Sequence, residues 1–190
     1  MRNVLVAGCI LRDPGCRKVG ATLGLTFRRG GPSDAEPLAH AVIELFAVYR
    51  EFSPSGWEPP PVAVEIELLR GLLAEETTWC LLAEREGRVV GQVTFLPAAT
   101  ATLPVDEPGL AHLRNLFVDR SLWGSGLARE LHDAVVAEAR ERGFTAMRLF
   151  TPARYGRARR FYEREGWAPA GEEFHAPGPD LVLVEYRLQF

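Results

Sequence analysis

Cysteine is scarce in this chain. Cys9, Cys16 and Cys80 are an odd number with no C-x-x-C pair among them, which excludes a disulfide framework and a zinc-ligand framework and fits a reducing cytoplasm. Long apolar runs are missing too. No stretch approaches the ~20 apolar residues of a membrane span. The apolar opening is short and soon meets Arg12 and Asp13 with no clear cleavage site, so neither membrane insertion nor export is expected. Positive charge is not in excess: a formal net charge of −3 and a pI near 5.9 leave no bulk attraction for nucleic acid. There is no P-loop Lys-Ser/Thr and no complete G-x-G-x-x-G with a downstream acidic residue, which argues against nucleoside triphosphates and dinucleotides. Internal repeats and low-complexity blocks are absent, and no metal is called for.

What is present is ordinary for a globular domain. With 47% hydrophobic and 25% charged residues in 190, the chain is long enough for one domain with a sizeable core. Residues 1–22, broken by Pro14 and glycines, read as a loosely attached arm. The domain spans residues 23–190.

Within it, Leu25-Thr26-Phe27 alternates like a strand. Pro32-Ser33-Asp34 starts a helix, with Ser33 as N-cap and Glu36 completing a capping box, and that helix runs to about Arg50. Its apolar side holds Leu38, Val42, Leu45, Phe46 and Tyr49. The prolines of Phe52 to Pro61 make that segment a loop, and Trp57 either packs down on the domain or lines a substrate entrance. A short helix is expected over Glu65 to Ala74. Strands follow at Thr77 to Ala83 and Arg88 to Phe95, joined by a Gly87 hairpin turn. Pro97 to Gly109 is an aperiodic loop of a length often tied to function.

A strand ending at Val118 then runs into Trp123-Gly124-Ser125-Gly126-Leu127-Ala128. This turn opens a helix whose apolar face is Leu127, Leu131, Val135 and Ala139. Glycines let the turn direct its N–H groups outward, and helix-start amides sit at the positive end of the helix dipole. Phosphate or pyrophosphate is therefore the natural occupant of Gly124 to Arg129. Beyond it come a strand over Ala146 to Phe150, a basic helix over Arg154 to Glu165, a short strand over Trp167 to Gly171, a loop over Phe174 to Pro179 and a closing strand over Leu181 to Leu188.

Three local matches in this order resemble the acyl-CoA-dependent N-acetyltransferase (GNAT) superfamily over roughly residues 23–190. Leu116-Phe117-Val118-Asp119 looks like the family's hydrophobic strand end, where main-chain groups pair with the pantetheine arm as an added strand would. Trp123 to Ala128 is similar to its [RQ]-x-x-G-x-[GA] pyrophosphate loop. Ala158 to Trp167, reading A-R-R-F-Y-E-R-E-G-W, is similar to its downstream A-x-x-F/L-Y-E-x-x-G-F/W segment. The resemblance implies an α/β (α+β) acyl-CoA N-acyltransferase fold, with a mixed, mostly antiparallel sheet of six to seven strands and about four flanking helices.

It also implies a site and a reaction. Acetyl-CoA is the co-substrate, contacted by Leu116, Phe117, Val118, Trp123, Gly124, Ser125, Gly126, Leu127, Ala128, Arg129, Tyr155 and Tyr162. The Val118 N–H polarises the acetyl carbonyl, and Tyr162 protonates the leaving thiolate. Two positions depart from the pattern: Trp123 stands where Arg or Gln is usual, and Tyr155 where an Asn often touches the cofactor. His112 occupies a place where many members carry a Glu, and with a pKa near 6.5 it is the candidate base. Alternation would set it on one face with Arg114, Leu116 and Val118, with Asn115 opposite. His40, His132 and His175 read as surface residues. Of Arg154, Arg157, Arg159, Arg160 and Arg164, one or two are expected at the ribose 3′-phosphate or adenine edge and the others in solvent.

The leading expectation is acetyl transfer from acetyl-CoA to an amine, a small molecule in preference to a protein N-terminus or lysine. A non-catalytic acyl-CoA sensor and a protein-interaction scaffold on the same fold are the alternatives. Glu51, Glu58, Asp106 and Glu107 in the surrounding loops suit a cationic amine or a plain solvated surface equally well. The apolar last strand could support a homodimer.

Overall fold

The computed structural model describes residues 23–51, 53, 57–176 and 181–190; the arm expected over 1–22 lies outside them. Seven strands form one sheet in the order β1-β2-β3-β4-β5-β7-β6. They are β1 (Thr26–Arg29), β2 (Trp79–Arg85), β3 (Arg88–Pro97), β4 (Leu110–Val118), β5 (Ala146–Pro152), β6 (Ala168–His175) and β7 (Val182–Gln189). All neighbouring pairs are antiparallel except β4 with β5. Four α-helices flank the sheet among the described residues: α1 (Ala35–Phe46), α2 (Val62–Ala74), α3 (Leu127–Glu141) and α4 (Gly156–Arg164). The order and type of elements agree with those expected. No described helix is long and apolar enough to cross a membrane.

The core has two layers because the central strands are buried on both faces. On one face Leu127, Leu131, Val135 and Ala139 of α3 pack on Val93, Phe95, Ala111, Leu113 and Met147, joined by Tyr162 of α4 and by Trp167. On the other, Leu38 and Ala39 of α1 and Leu69 and Leu73 of α2 cover Cys80, Leu82 and Phe117. The α3 stripe follows the helical period read from the sequence. At Gly91 a Cβ would lie 3.0 Å from Leu131 Cδ1 and 3.2 Å from Leu127 Cδ2, so α3 sits closer to β3 than a larger residue would permit.

Several boundaries differ from the sequence pattern, each for a local reason. The α1 entry is capped by Gly31 and Asp34 in place of Ser33: the Gly31 N–H donates to Asp34 Oδ2 at 2.9 Å across a 3-10 turn at Pro32–Asp34. Helix α2 starts at Val62, because Pro61 ahead of it needs no N–H partner. Helix α4 starts at Gly156, since Ala153 and Arg154 form the turn out of β5 and Tyr155 is the N-cap. The β2–β3 hairpin turns on Glu86 and Gly87, both at positive φ (52° and 76°), as a two-residue type I′ turn requires.

Phe174 and His175 belong to β6, where a loop is expected. Phe174 pairs with Leu183 and His175 with Val182, past an irregularity after Ala170. This edge strand is mostly exposed, so it carries no apolar alternation to read. The adjoining segment 177–180 lies outside the described residues.

Because Leu131 is fully buried between α3 and β3, Leu131→Ala should lower unfolding free energy by about 2–5 kcal/mol. Urea denaturation at neutral pH checks this.

Candidate active site

Strand β4 pairs with β3 from Ala111 to Val118 but with β5 only through Leu110, Ala111 and His112, opposite Ala146, Met147 and Arg148. Beyond that point β5 stays with β7. The two strands part, and one side of β4 is left without a neighbour. The register also slips at this place: Phe95 faces Leu113 and Thr94 faces Asn115, so Arg114 is an extra residue. Such a bulge bends its strand and re-aims the side chains after it.

Alternation therefore fails across the bulge. His112, Arg114, Asn115 and Phe117 share the α1/α2 face, whereas Leu113, Leu116 and Val118 pack towards α3. The expectation that His112 shares a face with Leu116 and Val118, opposite Asn115, is corrected here.

The backbone parity matters as much. The Asp119 N–H donates to Val90 O at 2.8 Å, which makes Val118–Gly91 a non-hydrogen-bonded pair in the antiparallel ladder. The N–H and C=O of Val118, and by the same alternation those of Leu116, point away from β3 into the gap. The Trp123 indole N–H donates to the Val118 carbonyl at 2.9 Å, so that acceptor is already used. The N–H groups of Leu116 and Val118 remain as donors facing the cleft.

This cleft has a volume of about 1170 Å³. At one end lies the glycine turn, where Gly124 (φ 82°) and Gly126 (φ 94°) take the left-handed region and Gly126 caps α3. Gly124, Gly126, Ala128 and Arg129 line the cleft there, as do Leu116, Phe117, Val118, Trp123, Tyr155, Tyr162 and His112. Two of the expected contact residues do not. Leu127 is fully buried in the core, and Ser125 turns its hydroxyl to the Leu127 N–H at 3.3 Å.

The basic helix divides its arginines as the charge pattern alone could not. Arg157 lies 4.0 Å over the Trp123 ring, and Arg157, Arg160 and Arg164 line the cleft beside the glycine turn. Arg159 is structural, donating to Tyr186 Oη at 3.0 Å and to Ala153 O at 2.9 Å.

Two expected acid–base residues sit in unequal surroundings. Tyr162 is buried against Phe161, Trp167 and Tyr186. Burial, with Tyr49 and Tyr155 nearby, holds its phenol well above the ordinary value, so the proton stays on oxygen. His112 is 7% exposed, its ring 5.3 Å from Phe150 and its Nδ1 buried without a partner. Burial first, then the charges of Arg148 and Arg114, push its imidazole down to about 3. It is neutral at neutral pH, far below the ordinary value of 6.5 that suits a general base.

His132 is not a surface residue. It is 4% exposed; its Nε2 accepts from the Trp167 indole N–H at 2.9 Å and its Nδ1 faces Asp133 at 3.2 Å. With Glu165 these groups could be taken for a cation cluster, but both ring nitrogens are engaged and Glu165 pairs with Arg129 and Arg164.

An aromatic wall across the cleft comes from the end of α1 and the loop after it, where the sequence leaves Trp57 with two readings. Tyr49 stands 5.8 Å from Tyr155 and 6.2 Å from Trp57, and Phe46, Trp57 and Phe150 complete the lining. Trp57 thus lines the cleft and also packs on Tyr49. The helical spacing of Phe46 and Tyr49 in α1 and the 3-10 turn after it was the available signal. Of the four loop acids expected nearby, only Glu58 lines the cleft, and it pairs with Arg50.

Comparison with known proteins agrees with this fold. The family model of the acetyltransferase (GNAT) family matches residues 42–167. Human N-acetyltransferase 8 is 30% identical over 122 residues, 62% of this chain and 51% of that protein; the chain thus spans about half the length of this relative. An acetyltransferase of the GNAT family from Staphylococcus aureus Mu50 aligns with TM-score 0.66 at 17% identity, over 87% of this chain and 98% of that one. A Bacillus anthracis acetyltransferase, solved in complex with acetyl coenzyme A, aligns with TM-score 0.53 at 18% identity over 63% of this chain and 66% of that one.

The folded state disfavours protonated His112, so the unfolded chain takes up the proton first as pH falls below 6.5. Stability should therefore decline between about pH 6.5 and 3, by on the order of 2 kcal/mol at pH 5, and His112→Gln should remove that share of the decline. Urea denaturation at pH 7 and pH 5 measures both, and the His112 imidazole proton resonances should stay flat from pH 5 to 8.

Proposed function

We propose that this chain, which belongs to the acetyltransferase (GNAT) family, binds acetyl-CoA in the cleft between β4 and β5 and transfers the acetyl group to the amine of a small molecule. The observation that carries the proposal is the gap itself. Unpaired strand-edge donors, a helix N-terminus behind two positive-φ glycines and a buried protonated tyrosine all open onto one cavity.

Each part suits one portion of an acyl-CoA. The pyrophosphate lies on the glycine turn and the start of α3, where N-terminal amides and the positive end of the helix dipole favour an anion, with Arg129 and the α4 arginines adding charge. The pantetheine arm lies along the open side of β4 as an added strand would. Its contacts there differ from a full ladder, because Trp123 occupies the Val118 carbonyl. The N–H groups of Leu116 and Val118 supply the donors, Val118 to the acetyl carbonyl, where they stabilise the oxyanion that forms on attack.

The reaction follows from those positions. The neutral amine attacks the thioester carbon, a C–N bond forms, the C–S bond breaks and the thiolate leaves. Tyr162, a phenol at neutral pH, gives its proton to that thiolate as the C–S bond breaks, and because burial disfavours the phenolate it takes a proton back from solvent before the next turnover. His112 lines the same cavity as a neutral imidazole, suited to accept a hydrogen bond from the amine and to orient it, with the proton passing on to solvent.

The test is calorimetric titration of the purified chain with acetyl-CoA, alongside thiol release with a panel of amines. Acetyl-CoA should bind, and Gly126→Val should weaken it by tenfold or more, since a β-branched residue is strained at φ 94°. Tyr162→Phe should lower kcat by about 10²-fold or more while leaving acetyl-CoA affinity within about twofold. Binding without turnover on any amine would favour an acyl-CoA-binding module, and absence of binding would overturn the reading.

A further inference from the structure

Where β4 and β5 part, the cleft is apolar, aromatic and positively charged. Phe46, Tyr49, Trp57, Leu103, Phe150 and Leu183 form its walls. Arg114 and His112 of β4 line it as well; Arg148, paired across from His112 on β5, is buried close by and does not line it. Arg148 is 4% exposed; its guanidinium donates to the carbonyls of Leu103 and Ala98 and lies over the Phe150 ring at 5.0 Å, and its Nε is buried without a partner.

The carboxylates nearby are committed elsewhere or outside. Glu65 meets Arg114 through one long contact of 3.4 Å. Glu107 and Glu185 hold Arg187 at 2.9 and 2.6 Å. Among the described residues lining the cleft, the only acids are Glu58 at the exposed rim, paired with Arg50, and Glu165 at the glycine-turn end, paired with Arg129 and Arg164.

Resting on the transferase reading above, we infer that the acceptor is a primary amine on an apolar or aromatic body that also bears a carboxylate, and that Arg114 receives this carboxylate. Guanidinium carries five N–H donors in a fork that matches a carboxylate. Glu65 takes one of them at long range, and the Asn115 carboxamide, oriented so that its oxygen faces Arg114, takes another at 3.0 Å. Donors remain for a ligand. An anion there would also bring a hydrogen-bonding group to the end of the cleft that His112 lines, where His112 Nδ1 is buried without a partner.

Arg148 and Arg114, the charges that act on His112, also disfavour polycations and lysine side chains, which bring positive charge and no carboxylate.

The test uses the whole purified chain and two kinds of readout. By calorimetry without any cofactor, 3-phenylpropanoate should bind more tightly than 3-phenylpropylamine. The double variant Glu65→Gln/Arg114→Gln, which leaves no buried carboxylate unpaired, should lose that preference by about 10- to 100-fold, the range of a charge-assisted contact. Glu65→Gln alone should strengthen carboxylate binding by freeing Arg114. In turnover with acetyl-CoA, phenylalanine should exceed phenylalaninamide and phenethylamine in kcat/KM.

Equal or tighter binding of the amine without a carboxylate, or an undiminished preference in the double variant, would overturn the inference. Failure of acetyl-CoA to bind would overturn the transferase reading, while the carboxylate preference, measured without cofactor, is decided independently of it.

Discussion

The parting of β4 from β5 is the constraint on which the site depends. A sheet strand normally spends its backbone groups on two neighbours. Here β4 keeps one neighbour along its length and the other for only three residues, so the N–H groups of Leu116 and Val118 face open space. The bulge at Arg114 belongs to the same event, since an extra residue increases bend and twist where the strands separate. It reverses which side chains face α1 and α2, carrying Asn115 to the side of His112 and Arg114.

Packing elsewhere holds that gap in shape. α3 is pressed against β3 at Gly91, which fixes the glycine turn relative to the open edge of β4. α4 is tied back through Arg159 to Tyr186 and Ala153, which sets Tyr162 against Trp167 and Tyr186 and leaves Arg157 over Trp123. The result is one cleft with two electrostatic ends. Backbone donors and arginines gather at the glycine turn, and where the strands part Arg114 lines the cleft, with Arg148 buried close by on β5.

Trp123 illustrates how a departure from a family pattern is absorbed. Its indole N–H serves the Val118 carbonyl, an acceptor that β5 would have served had the strands stayed together, while two arginines, Arg120 and Arg157, lie over its ring. The side chain trades a mobile charge for a fixed wall, and the positive charge near the turn is supplied by Arg129 and α4.

The sequence by itself determined the element order, the α3 stripe and the glycine turn, because helical period and glycine conformational freedom are local properties. It also placed ten of the twelve residues expected to contact the cofactor on the cleft, since strand, turn and helix follow one another without interruption from Leu116 to Arg129. Only the tertiary structure decided the faces of β4, the burial of His132, the strand character of Phe174 and His175, and the acid–base standing of His112. A bulge is a relation between two strands, an exposed edge strand is fixed by its partner, and a histidine's pKa is set by its burial in the fold and then by charges contributed by different strands. None of these is written in the neighbouring residues of the chain, because each arises only when distant segments meet.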